Sequence, residues 1–114
     1  MNRVTAVIAG IVIAAFAAPT VAAQKDDQVA KGMKVYEQQK CSVCHSIEGK
    51  GNKKGPLDGV GSKLSADEIR QWIVNAKEMT AKTKSERKPP MKDYSLPKEE
   101  LDALVAYMQS LKKK

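Results

Sequence analysis

The sequence is poor in the large side chains and metal ligands on which many protein classes depend. Its 114 residues include one Phe, one Trp and three Tyr, and only one His and two Cys. A structural zinc site takes four Cys or His ligands, and this chain has only three. No segment alternates β-branched and aromatic residues at period 2, and the βαβ context of a thioredoxin-like redox site is missing. The sequence therefore predicts an all-α chain with a thin core.

Arginine is scarce as well, although the chain is basic, with a net charge of +7 and a pI near 9.5. Beyond the N-terminal region the arginines are Arg70 and Arg87. Without an arginine-rich stripe the chain is not expected to bind nucleic acid. The lysines are expected to steer an acidic protein partner, and the alternative is that they only keep a small protein soluble.

The N-terminus has the pattern of a secretory signal. Arg3 gives a positive start, an apolar run covers residues 6–18, and small residues occupy 21–23. The run is shorter than the ~20 residues needed to span a bilayer. We predict that residues 1–23 are a cleaved signal peptide and that residues 24–114 are one domain in the periplasm. An uncleaved membrane anchor is the alternative.

Helical signals mark three segments of the remaining chain. The first helix is expected to begin at Asp26 or Asp27 and to end near Gln39. The middle helix begins at a capping box, in which Ser65 and Glu68 can satisfy each other's backbone donors. The third helix carries acidic residues in its first turn and lysines at its end, an order that suits the helix dipole.

The third helix is expected to begin between Ser95 and Pro97. Residues 49–61 and 80–90 carry no helical pattern and are predicted to be loops, and two consecutive prolines end the second one. Long loops in a compact domain are usually functional, so we expect both to cover a site.

The segment Cys41-Ser42-Val43-Cys44-His45 is the most informative motif of the chain. It has the C-x-x-C-H spacing at which haem is attached covalently. Two thiols three residues apart can each form a thioether with one vinyl group of a porphyrin, and His45 can rise from the same turn to the iron. A disulfide between Cys41 and Cys44 is the alternative, but it leaves His45 without a role. A buried haem would also supply apolar mass that so few aromatic residues cannot.

With this motif the chain resembles the class I c-type cytochromes, which are small monohaem electron carriers. The resemblance covers residues 25–111 and rests on features in a fixed order, namely the haem motif, Gly55-Pro56, Trp72, Pro90-Met91 and the segment from Leu104 to Tyr107. It implies an all-α cytochrome c fold, with three to five helices around one covalently attached haem c. It also implies that the first and last helices cross, with Gly32 and Tyr36 facing Leu104 and Tyr107.

The sixth iron ligand is not fixed by the motif. No second histidine exists, so two histidines cannot ligate the iron. Met33 and Met108 lie on apolar helix stripes and are expected to fill the core. The resemblance implies that Met91 is the axial ligand, and the alternatives are Met79, a lysine or an open site.

Three further residues are candidates for the surroundings of the cofactor. The resemblance implies that the Pro56 carbonyl accepts the second ring N–H of His45 and thereby fixes its tautomer. An ordinary turn proline is the alternative. Trp72 and Tyr94 are candidates for the propionate edge of the haem, because a buried indole N–H or phenol needs a partner. The alternative for both is packing in the core.

These features predict a one-electron carrier and not an enzyme. Ligation by His45 and Met91 fills both axial positions and leaves no place for a substrate, and no distal His or Arg is expected to assist O–O cleavage. We expect a monomer whose partners are redox proteins with an acidic docking face, including membrane-associated complexes. The alternatives are a haem subunit of a larger redox complex, or a haem-based gas sensor or peroxidase with a labile sixth ligand.

Overall fold

The computed structural model describes residues 10–13 and 21–113, without the side chains of residues 21–24. Five α-helices, a 3₁₀ turn and a two-stranded ladder occur in the described chain: α1 (Val21–Gln38), the 3₁₀ turn (Cys41–Val43), β1 (Ser46–Ile47), β2 (Lys50–Gly51), α2 (Val60–Lys63), α3 (Ala66–Val74), α4 (Ala76–Thr83) and α5 (Lys98–Ser110). The all-α fold and the number of helices are confirmed. The antiparallel pairing of β1 with β2 is not predicted, because strands of two residues show no period.

Most of the predicted signal peptide lies outside the described residues, so its cleavage stays a prediction. Within the part of the chain that the structure describes, no helix combines the length and the apolar character needed to cross a membrane. Helix α1 begins at Val21, several residues before the predicted start at Asp26 or Asp27. The alanines that precede these aspartates are good helix formers, which extends the helix toward its N-terminus.

The crossing of α1 and α5 forms the centre of the fold. Gly32 faces the backbone of Ala103, and a Cβ on Gly32 would stand 2.6 Å from the Cβ of Tyr107. The two helices therefore pack at a distance that only glycine permits. Beside this point the rings of Tyr36 and Tyr107 meet edge to face, with centroids 5.8 Å apart. The predicted crossing is confirmed.

The hydrophobic core is small and joins α1, α3 and α5. Its buried side chains are Val35, Tyr36, Ile69, Ile73, Leu104, Val105 and Met108. Among the described residues no large side chain is completely enclosed, since each of these keeps a small exposed fraction. The packing leaves space between the helices, and that space forms the site described below.

The middle of the chain differs from its prediction in two respects. Helix α2 begins at Val60, inside the predicted loop of residues 49–61. The capping box is confirmed, with Ser65 Oγ accepting from the Glu68 N–H at 3.1 Å and Glu68 Oε1 accepting from the Ser65 N–H at 3.1 Å. The helix breaks at Asn75, and α4 then continues to Thr83, so the predicted start of the second loop at Thr80 is wrong. The segment lacks an apolar period, but its Ala, Lys, Met and Glu residues have high helix propensity.

Candidate functional site

The two cysteines and the histidine of the motif lie on one tight turn after α1. Lys40 adopts a left-handed conformation, with φ of 56°, and directs the chain into the 3₁₀ turn. The Cys41 carbonyl then accepts from the Cys44 N–H at 3.1 Å and from the His45 N–H at 2.9 Å. Both cysteines are half-buried free thiols, and burial raises the pKa of Cys41. The turn presents two thiols and an imidazole from one short segment.

A cavity of about 460 Å³ lies between this turn and the helices. Its lining is mostly apolar and includes Leu57, Leu64, Ile69, Ile73, Leu104 and Met108. A second cavity of about 360 Å³ adjoins it and extends toward Val43 and Tyr94. Cys41, His45 and Met91 line both cavities. The site thus offers thiols, an imidazole and a thioether in apolar surroundings, and this donor set fits a c-type haem.

His45 is held by a backbone carbonyl of the following loop. Its Nδ1 lies 3.0 Å from the carbonyl oxygen of Gly55. Because a carbonyl can only accept, Nδ1 carries the proton and the lone pair is on Nε2. This is the tautomer that a metal-ligating imidazole requires.

The prediction that the Pro56 carbonyl holds His45 is wrong, since the acceptor is Gly55. The reason is the local register. The Ser46 N–H donates to the Gly55 carbonyl at 3.1 Å and the Leu57 N–H donates to the Ser46 carbonyl at 2.8 Å. Successive carbonyls of an extended segment point in opposite directions, so the Pro56 carbonyl points away from the imidazole. Pro56 itself is exposed.

The environment of His45 favours the neutral imidazole. Burial lowers the pKa of His45, and the nearby Arg87 guanidinium lowers it further, while the hydrogen bond to the Gly55 carbonyl opposes both effects. A neutral imidazole is the form that donates a lone pair to a metal.

The four methionines of the predicted domain occupy different surroundings. Met91 is half-buried and lines both cavities. Met108 belongs to the core and contributes to the wall of the larger cavity. Met33 is 47% exposed on α1, so its predicted role as a core filler is wrong. Met79 lies on α4 and is absent from the lining of either cavity.

Trp72 lies on α3 and lines the larger cavity, outside the buried core cluster. Lys63, Thr80, Thr83 and Ser85 line the same cavity and bring amine and hydroxyl groups to it. The surroundings favour contact with the polar groups of a cofactor, although that contact stays a prediction. Tyr94 packs against the core cluster, and its N–H donates to the Ile73 carbonyl at 2.8 Å.

Arg87 is the site residue that the sequence did not reveal. The sequence predicts no distal arginine that could assist O–O cleavage, yet Arg87 lines both cavities and its guanidinium donates a hydrogen bond to the Cys44 carbonyl. It sits in a Lys-rich polar segment, and a single charge there does not stand out. Its position four residues before Met91 is the one signal that could have indicated it.

The outer wall of the smaller cavity combines positive charge with an exposed apolar side chain. Lys40 and Lys92 line this cavity and are exposed. Val43, between the two cysteines, is 66% exposed. Apolar contact ringed by charge is typical of surfaces on which proteins dock transiently.

Comparisons with known proteins agree with this geometry. A family model described as Cytochrome c matches residues 29–112. Cytochrome c-555 from Methylococcus capsulatus is 28% identical to this chain over 106 residues, which cover 92% of this chain and 80% of that protein. No solved structure gives a significant match.

Proposed function

Because the chain belongs to the cytochrome c family, a family of haem-based electron carriers, we propose that it is a one-electron carrier with one haem c ligated by His45 and Met91. Cys41 and Cys44 would hold the group through two thioethers. When bound, haem c supplies an iron that alternates between the ferric and ferrous states.

One observation carries the ligand assignment: His45 and Met91 line the same two apolar cavities, and Cys41 lines both as well. Met91 contributes to these cavities from a segment that is far from the motif in the sequence. Met108 also contributes to the larger cavity, but it is only 6% exposed and belongs to the core cluster. Using it as a ligand would withdraw it from that packing.

The chain's own groups would prepare His45 to ligate the iron before the haem is bound. The Gly55 carbonyl fixes the proton on Nδ1 of His45, and burial lowers the pKa of the imidazole and so favours its neutral form. In that form Nε2 carries the lone pair that would bind the iron. The hydrogen bond to the carbonyl also raises the basicity of the imidazole as a ligand.

The Met91 ligand and the apolar lining of the cavities would both raise the reduction potential. A thioether ligand such as Met91 favours ferrous iron. An apolar lining acts in the same direction, because it penalises the additional positive charge of the ferric state. The carrier would therefore accept electrons readily and deliver them to an acceptor of still higher potential.

The proposal extends to the partners and the compartment. Lys40 and Lys92 line the same cavity as the exposed Val43, so a redox protein with an acidic face would dock at the smaller cavity. We propose that the protein acts as a monomer in the periplasm, after export by its N-terminal segment. The apolar run of residues 6–18 in the sequence supports export.

The test compares two methionine variants of the haem-loaded protein. Ferric wild-type protein should show the weak absorption at the red end of the visible range that is typical of a sulfur–iron bond. Met91→Ala should remove this band, lower the reduction potential and allow carbon monoxide to bind the ferrous form. Met79→Ala is the matched control, because this methionine lies on α4 and lines neither cavity, and it should leave all three properties unchanged.

The results separate the proposed carrier from its alternatives. If Met79→Ala produces the three changes and Met91→Ala does not, the axial assignment is wrong. If wild-type ferrous protein binds carbon monoxide at once, the sixth position is open and a sensor or peroxidase is favoured. Recovery of the mature protein only within a membrane complex would favour a dedicated subunit.

A further inference from the structure

Arg87 joins two parts of the site that are far apart in the sequence. It precedes Met91 by four residues, and its Nη2 donates to the carbonyl of Cys44. Cys44 belongs to residues 41–45, which carry the two thiols and His45 and are called the attachment turn below. Arg87 also lines both cavities. The hydrogen bond thus runs from the segment that bears Met91 to the turn that bears the thiols.

The opposite loop has room for this guanidinium because residue 55 is a glycine. Gly55 is buried, and a Cβ on it would overlap both the Arg87 guanidinium and the Cys44 carbonyl. The Gly55 carbonyl meanwhile holds His45. The guanidinium therefore lies against Gly55, whose carbonyl holds His45, and against the carbonyl of Cys44.

This hydrogen bond matters because the segment that bears Met91 makes few other hydrogen bonds to the rest of the protein. On its C-terminal side, the Asp93 carboxylate accepts from the Lys77 N–H at 2.9 Å, and the Tyr94 N–H donates to the Ile73 carbonyl at 2.8 Å. On its N-terminal side, the Ser85 N–H donates to the Thr80 carbonyl at 3.1 Å. Among the described residues, the stretch 86–92 is hydrogen-bonded to the rest of the chain through Arg87.

We propose that Arg87 is a positioning residue for Met91. Its hydrogen bond to the Cys44 carbonyl would hold residues 86–92 against the attachment turn and so keep the thioether of Met91 near the iron. A guanidinium suits this task because it stays charged, and a bond from a charged donor is stronger than one between neutral groups. Holding a ligand in its bound position reduces the entropy lost when the bond forms. The proposal rests on the proposed function, in which Met91 is the sixth ligand.

The test measures how often Met91 leaves the iron in the haem-loaded protein. Carbon monoxide binds the ferrous iron only while the sixth position is open, so its rate of capture reports the detached population. Arg87→Ala should raise this rate about tenfold, which corresponds to about 1.4 kcal/mol, and should weaken the red band of the ferric protein. Lys88→Ala removes a charge from the neighbouring exposed residue and should leave the rate within twofold of wild type.

Two further variants distinguish positioning from other roles. Arg87→Lys keeps the charge and one donor, so its rate should lie between those of wild type and Arg87→Ala. In a Met91→Ala background, Arg87→Ala should have no additional effect on carbon monoxide binding, because no methionine remains to be positioned. If Arg87→Ala still accelerates binding there, Arg87 controls access to the iron and the proposal is overturned.

The remaining outcomes also decide the matter. Equal rates for Arg87→Ala and Lys88→Ala would show that the hydrogen bond to Cys44 does not hold Met91. A changed pH dependence of the reduction potential, with an unchanged rate and red band, would assign Arg87 to a haem carboxylate instead. If Arg87→Ala does not mature, Arg87→Lys carries the test, and a wild-type rate in that variant overturns the proposal. Absence of the red band from wild-type protein would refute Met91 ligation itself, independently of Arg87.

Discussion

The contact between α1 and α5 makes Gly32 a position at which one added methyl group should be costly. In Gly32→Ala the new Cβ would stand 2.6 Å from the Cβ of Tyr107, and closer still to the carbonyl oxygen of Ala103. Carbon atoms pack best at about 3.5–4.0 Å, so the helices would have to separate by about 1 Å. Neither obstacle is the flexible end of a side chain, and the clash can be relieved only by moving a helix.

Two opposing effects set the magnitude. Overpacking of a close contact costs about 1–3 kcal/mol, and the upper end applies here because backbone atoms are involved. Replacing glycine by alanine within a helix returns about 1 kcal/mol through helix propensity. The expected net loss of unfolding free energy is therefore about 2 kcal/mol. For a domain of this size it corresponds to a melting temperature lower by about 10 °C.

The assay is denaturant unfolding of the haem-loaded protein, followed by far-ultraviolet circular dichroism. Ala30→Gly is the matched control, because Ala30 is exposed on the same helix and tests propensity without the crossing. That variant should lose about 1 kcal/mol. If Gly32→Ala is as stable as wild type, or gains what Ala30→Gly loses, the helices do not pack at the described distance.

Three further predictions follow from the core and the charge. Leu104→Ala, in the core at 5% exposure, should lose about 2–5 kcal/mol of unfolding free energy through cavity formation, as measured by denaturant titration. A loss below about 0.5 kcal/mol would mean that the core is not built around this helix. Cys41→Ala combined with Cys44→Ala should abolish covalent haem and leave the chain largely unfolded, and native helicity in that haem-free variant would contradict a haem-dependent core. Electron transfer to an acidic partner should slow as salt rises, because charge attraction is screened within ~8 Å at physiological ionic strength; a salt-independent rate would leave the lysines with solubility alone.

The energetics behind these predictions have a common origin. The core consists of seven buried side chains with two partly exposed cavities beside it. A domain with so little enclosed apolar volume depends on whatever fills that space. We therefore expect the group that fills the cavities and the close packing of α1 against α5 to stabilise the fold together, in one cooperative unfolding transition.

Local chemistry was predictable because it is contained in short segments. The C-x-x-C-H motif lies within five residues, and its geometry depends only on a single turn of chain. The capping box of Ser65 and Glu68 is equally local, since both hydrogen bonds span three residues. Helices α1, α3 and α5 follow from the apolar periods within each of them. These features need no information about distant parts of the chain.

The features that escaped prediction depend on pairs of residues far apart in the sequence. Which carbonyl faces His45 is decided by the register of Ser46 against residues 55–57, and a shift of one residue exchanges the carbonyls of Gly55 and Pro56. The contact of Arg87 with Cys44 joins positions 43 apart, and no local pattern records it. The sequence by itself determined α1, α3 and α5, the attachment motif and the set of possible ligands. Only the tertiary structure decided which backbone oxygen holds the imidazole, which methionines line the cavities and which arginine contacts the Cys44 carbonyl, because these depend on how separate segments pack in space.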